Sequence, residues 1–124
     1  IRQAVMDIDS MMGSEVERRG LIHVDGKKEF AWTKERKLML IDTFGTADED
    51  RFWEKASHQE GRIVELSKEA VRRHYRDIGY HDQLMAAREE RRIEPDIPPL
   101  PGEMIETVSN LYKEMYERLT GRPF

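Results

Sequence analysis

Between Leu21 and Asp42 the chain twice runs through a short apolar stretch into an acid: Leu21-Ile22-His23-Val24 ends on Asp25, and Leu38-Met39-Leu40-Ile41 ends on Asp42. Apolar runs of four to eight residues, bounded by charge and free of proline, read as strands. Leu21–Asp25 and Lys28–Trp32 are expected as one strand with a soft middle at Gly26, and Lys37–Asp42 as a second. Thr33–Arg36 would connect them as a hairpin. That connection holds no Gly or Asn, so it does not declare a turn type.

Helical periodicity surrounds this stretch. Ala4, Val5, Ile8, Met11, Met12 and Val16 recur at helical spacing over residues 2–19, and Gly20 after Arg18-Arg19 is a suitable stop. Phe44–Asp50 reads as a loop. Ile63, Leu66, Ala70, Val71, His74, Tyr75 and Ile78 resume the period, with Ser67 as a cap for Lys68–Ile78 and Gly79 as its terminator. Asp82 would cap a helix over Gln83–Arg92. Ile93–Gly102 (IEPDIPPLPG) is a proline-rich connector, expected as an ordered strap across the surface. Glu103–Leu119 carries the most regular helical stripe, from Met104 through Met115 to Leu119, and this stripe is expected to be core.

The totals exclude several function classes. Twenty-one basic and 25 acidic residues are well mixed and give a net charge of −4, so no basic surface argues for nucleic acid or an anionic membrane. The chain has no cysteine, which removes disulfides, thiol catalysis and cysteine metal sites. No apolar run approaches the ~20 residues of a membrane span. His23, His58, His74 and His81 lack zinc-ligand spacing, and no Walker A, dinucleotide-glycine or G-x-S-x-G motif is present. The first residue is Ile1, not Met, which suggests a trimmed start or one piece of a longer polypeptide.

What remains is a charged edge. By strand alternation Asp25, Lys27 and Glu29 share one face. If Trp32 pairs with Lys37, Lys27 lies opposite Asp42 and Glu29 lies diagonal to it, roughly 7–8 Å away. Two carboxylates at that spacing suit a hard cation such as Mg²⁺, which keeps its other positions for water and phosphate. A lysine between them suits phosphate oxygens. The same residues also describe an exposed hairpin with an ordinary Lys27–Asp42 cross-strand pair.

Val24-Asp25-Gly26-Lys27-Lys28-Glu29-Phe30 resembles the apolar-D-x-K-x-E-F signature of phosphoribosylaminoimidazole-succinocarboxamide synthases (SAICAR synthetases). Asp42–Trp53 resembles the second signature of that family, D-E-x-x-T-P-D-S-S-R-x-W. Ser67–Arg72, Pro95–Pro101 and Tyr116–Gly121 are similar to its D-K-Q-x-x-R segment, proline strap and Y-E-x-L-T-G ending. The departures are Ala31 for Gly, Thr43 for Glu, Ala47 for Pro, Glu49 and Asp50 for two serines, and Ser67 for Asp. The added acids bear on how freely Arg51 can bind a phosphate.

The resemblance implies an α+β (α/β-like) C-terminal portion over residues 1–124, with a β-hairpin contributing to a sheet backed by about four helices. It implies a cytoplasmic ATP-dependent carbon–nitrogen ligase of purine biosynthesis that joins L-aspartate to carboxyaminoimidazole ribonucleotide through an acyl phosphate. Glu29 and Asp42 match the acids that hold Mg²⁺ at the ATP phosphates. Lys27 and Asp25 match positions where nucleotide and substrate meet, and Arg51 matches the arginine associated with the substrate phosphate. Trp53 is expected to pack behind that loop. The family's ATP-covering N-terminal domain and middle substrate segment are not in these residues, so this chain would supply one wall of a site. The oligomeric state is left open, a homo-oligomer included. Two other readings stand beside this one: a non-catalytic helical interaction module derived from the family, and another phosphotransferase with a similar acid–lysine–acid edge.

Overall fold

The structure, a computed structural model, describes residues 1–124. Helix α1 (Arg2–Glu17) leads into strands β1 (Leu21–Gly26), β2 (Glu29–Trp32), β3 (Leu38–Ile41) and β4 (Asp50–Glu54). Helices α2 (Lys55–Gln59), α3 (Glu69–Asp77), α4 (Tyr80–Glu89) and α5 (Gly102–Thr120) follow, giving the α+β architecture expected. No helix is long and apolar enough to cross a membrane.

The first expected strand is in fact two. β1 pairs antiparallel with β4, β2 pairs antiparallel with β3, and the chain changes sheet at Lys27-Lys28. Strand β4 was not foreseen. Its five residues, DRFWE, hold Phe52 with no exposed surface, but the acids around them give the look of a loop. Residues 63–66, expected in a helix, extend this sheet instead. Glu54 N–H donates to Val64 O at 3.0 Å and Leu66 N–H to Phe52 O at 2.8 Å.

The hairpin forms one residue out of the expected register: Trp32 pairs with Leu38 and Glu29 with Ile41. Thr33 O accepts the Arg36 N–H, and Arg36 then takes a left-handed conformation (φ 59°) before Lys37 rejoins the ladder. That geometry usually asks for Gly or Asn, which is why the turn was invisible in sequence.

The helix boundaries behave as their chemistry dictates. α3 starts one residue later than expected, yet Ser67 Oγ still accepts the Glu69 N–H at 3.3 Å. Gly79 (φ 75°) ends α3 and opens α4, so Asp82 sits in the first turn and does not cap. The proline segment is a strap without regular structure, held by Tyr75 Oη on Pro98 O (2.8 Å) and Tyr80 Oη on Pro95 O (3.2 Å).

The core gathers Val16, Leu21, Ala47, Phe52, Leu66 and Met115, with Leu111, Tyr112 and Leu119 packed against it. Only part of the α5 stripe is therefore core, since Ile105 and Tyr116 are exposed. Arg118 anchors this helix. Its guanidinium donates to Glu54 Oε2 (2.6 Å) and to the carbonyls of Arg19 and Gly20 (both 3.1 Å), tying α5 to β4 and to the α1–β1 turn.

Candidate functional site

A cleft of about 640 Å³ with no apolar side chain in its lining opens beside the β1–β4 pair. β1 contributes Asp25, the turn after it Lys27, β4 Arg51, the segment entering α3 Lys68, and α3 itself Arg72. The basic groups Lys27, Arg51, Lys68, Arg72 and Arg76 are matched by Asp25, Asp48, Glu49, Asp50 and Glu69.

A β-bulge aims Asp25 into this cleft. His23 pairs with Phe52 and Asp25 with Arg51, so Val24 is the extra residue. Simple alternation would put His23 and Asp25 on one face. The bulge separates them, leaving the His23 side chain 2% exposed and that of Asp25 52% exposed. Arg51 then forks onto Asp25, with Nε 2.8 Å from Oδ1 and a terminal nitrogen on Oδ2. The hydrogen bonds from Arg51 hold the Asp25 carboxyl below the usual range against a weaker effect of burial, and Asp25 in turn raises the guanidinium.

Lys27 pairs with Glu29 and not with Asp42 as the expected register required. Asp42 has left the strand in a left-handed conformation (φ 69°), which aspartate tolerates, and its Oδ1 accepts the Thr43 N–H at 2.9 Å. The electrostatic grouping nevertheless persists. The hydrogen bond that Lys27 donates to Glu29 chiefly raises the ammonium, and the charges of Asp42 and Glu49 add to it. Thus one ammonium lies among three carboxylates. No three potential ligands converge on a single point. Glu29 and Asp42 are nonetheless hard oxygen donors of the kind from which Mg²⁺ commonly takes one or two, with Lys27 already paired to Glu29. Glu29 and Asp42 lie outside the lining of the cleft, whereas Asp25, Lys27 and Arg51 lie within it.

The acids flanking Arg51 do not crowd it. Asp50 is buried and meets Lys28, while Glu49 approaches Thr43 Oγ1 at 3.4 Å. The competitor for Arg51 is Asp25. Trp53 lies outside the cleft lining, its indole N–H donating to Glu65 Oε1 at 3.1 Å, in keeping with a packing role.

Sequence reasoning gave no role to Lys68, Arg72 and Arg76. Lys68 Nζ is 3.2 Å from Asp48 Oδ1, and Glu69 holds Arg76 at 2.7 Å and Arg72 at 3.6 Å. The i, i+4, i+8 spacing of these three cations was the available signal, because it lines them along one helical side.

A family description, SAICAR synthetase, matches residues 1–87. The chain belongs to the SAICAR synthetase family. It is 62% identical over 122 residues to the phosphoribosylaminoimidazole-succinocarboxamide synthase of Thermoplasma acidophilum, covering 98% of this chain and 42% of that protein. Identity to the Thermoplasma volcanium enzyme of the same name is 56%, with the same coverage. The chain therefore spans about two fifths of the length of these relatives. Among solved structures, the fold matches SAICAR-synthase from Saccharomyces cerevisiae complexed with SAICAR (TM-score 0.70, 24% identity, 98% of this chain and 38% of that one). It also matches a SAICAR synthetase in complex with ADP (TM-score 0.64, 21% identity, 99% and 37%).

Proposed function

We propose that this chain is the C-terminal wall of an ATP-dependent ligase that joins L-aspartate to carboxyaminoimidazole ribonucleotide, giving SAICAR, ADP and phosphate. The observation that carries the reading is that Asp25 and Lys27, at the end of β1, meet Arg51 of β4 in one wholly polar cleft. The N-terminal part, which the longer relatives possess, would close the other side.

ATP supplies the phosphoryl group that activates the substrate carboxylate, and Mg²⁺ neutralises phosphate charge. On this reading Glu29 and Asp42 would hold the metal and Lys27 would bind phosphate oxygens. Phosphoryl transfer needs positioning and charge neutralisation more than covalent help from the protein. Arg51 takes the substrate phosphate, for which it must leave Asp25. The freed Asp25 carboxylate, turned into the cleft by the bulge, is then an acceptor for substrate hydroxyl or amine protons. Lys68 and Arg72 extend the cationic side toward a second anionic group, as an aspartate substrate requires.

The non-catalytic module is disfavoured, because a scaffold gains nothing from collecting Asp25, Lys27 and Arg51 in one cleft. The test combines this chain with the N-terminal part of the Thermoplasma acidophilum synthase and measures ATP- and aspartate-dependent product. Turnover is expected, and Glu29→Gln should reduce it on the order of a thousandfold, as loss of a charge-stabilising group does. Full turnover by Glu29→Gln would refute the metal assignment.

A further inference from the structure

Beneath the cleft lies a charged cluster that the proposed chemistry does not use. Asp50 has no exposed side-chain surface, and Lys28 and His23 expose 3% and 2%. Lys28 Nζ donates to both Asp50 oxygens, at 3.0 and 3.3 Å, and the Gly45 N–H donates to Oδ2 at 2.6 Å. His23 Nε2 stands 3.5 Å from Oδ2, a long approach, while its Nδ1 meets Asp9 at 3.0 Å. Gly26 pairs directly with Asp50, and a Cβ there would lie 1.6 Å from Oδ1.

The neighbours of the pair give it meaning. Lys28 sits between Lys27 and Glu29, and Asp50 sits between Glu49 and Arg51. The segment around Lys28 has no regular structure and links two separate sheets, so no backbone ladder fixes it. Its inward anchor is the Lys28 ammonium, which bonds Asp50 and lies 5.3 Å from the centre of the Phe44 ring. A buried ion pair is a poor source of stability, since apolar replacements of both partners are often neutral or better. What it supplies is direction: a bond to both oxygens of a carboxylate that is itself fixed by Gly45.

The geometry points to Lys28 and Asp50 as positioning residues, a buried pair that sets the spacing between the Lys27–Glu29 segment and Arg51. This inference rests on the ligase reading above.

The test compares the unsubstituted chain with the double variant Lys28→Leu/Asp50→Ser, which removes both charges together and avoids stranding either one. Thermal unfolding of the double variant should lie within about 5 °C of the parent, a change of roughly 1 kcal/mol. Amide hydrogen exchange at Glu29, the first ladder position after this segment, should quicken at least tenfold. In the assay with the N-terminal part, kcat should fall on the order of a hundredfold, the cost of misplacing a reacting group by about 1 Å. Unchanged exchange together with parental kcat would overturn the inference and leave the pair a packing feature. If the unsubstituted combination makes no product, the ligase reading falls, and the exchange rates still decide whether the pair holds the segment.

Discussion

Asp50 and Asp25 lie near one another on paired strands, yet acid reaches them differently. Burial pushes the Asp50 carboxyl up, but the contacts from His23, Lys28 and the Gly45 amide outweigh it and leave the group below the ordinary carboxylate range. Arg51 lowers Asp25, and Arg76 chiefly lowers Glu69. A carboxylate depressed on folding adds stability that is complete above its unfolded value, about 3.9 for aspartate. That stability is lost as pH falls through the lower folded value. The urea midpoint should therefore be flat from pH 7 to 5 and fall steeply below pH 4. Asp50→Asn, compared with the parent across the same range, should flatten part of that fall. An equally steep profile would mean that Asp50 is not ionised in the folded chain. Phe52 tests the apolar side of the same strand. With no exposed surface and a place at the centre of the core, Phe52→Ala should cost about 3–5 kcal/mol, read from chemical denaturation.

The elements show what could and could not be read in advance. α1 and α5 were legible because their periodicity is long and their glycine stops are unambiguous. β4 was not, because its inward positions alternate Asp50, Phe52 and Glu54, and two acids there hide the strand pattern. The hairpin was legible but its register was not, since Arg36 occupies a left-handed position without announcing it. Of the candidate site, the residue identities came from motifs, while the meeting of Asp25 and Arg51 depended on a bulge at Val24 that no local signal marks.

Two substitutions probe the joins between elements. Gly26→Ala places a methyl group where Asp50 Oδ1 stands, so it should destabilise the β1–β4 pair by roughly 1–3 kcal/mol, as overpacking does. The colliding atoms belong to side chains, so a second change, Asp50→Ala, should recover much of the loss. A double-mutant cycle in urea would then show a coupling of at least about 0.5 kcal/mol. Strict additivity would mean that strand strain, not collision, sets the cost. Arg118→Ala strips three partners from β4 and the α1–β1 turn at once. It should cost about 2 kcal/mol, with Arg118→Lys recovering little, because a single ammonium cannot reproduce the fork.

At the scale of the whole molecule the surface is too large for the mass. The chain exposes 9201 Å², whereas a folded monomer of 14.7 kDa should expose about 6,900 Å². Only 11 of 124 residues are buried, so the excess is a deficit of core and not a roughness of loops. Part of it is apolar and localised: Trp32 is 64% exposed on the β2–β3 hairpin, with Met39 and Ile41 on the neighbouring strand. That hairpin is a two-stranded sheet with open edges, an arrangement marginal in water by itself. The simplest account is that the part of the longer relatives absent from this chain covers the hairpin. Adding the N-terminal part of the Thermoplasma acidophilum synthase should then raise the unfolding temperature in a concentration-dependent way. The gain should reach about 2.7 kcal/mol at a hundredfold excess over Kd. A Trp53→Phe chain leaves Trp32 as the one indole to report on the contact, provided the added part is prepared free of tryptophan. Its emission should move to shorter wavelength and lose acrylamide quenching as the complex forms. A raised unfolding temperature with Trp32 still fully quenchable would put the contact elsewhere on the chain. No change in either signal would mean that the two parts do not associate and that the N-terminal part does not cover the hairpin.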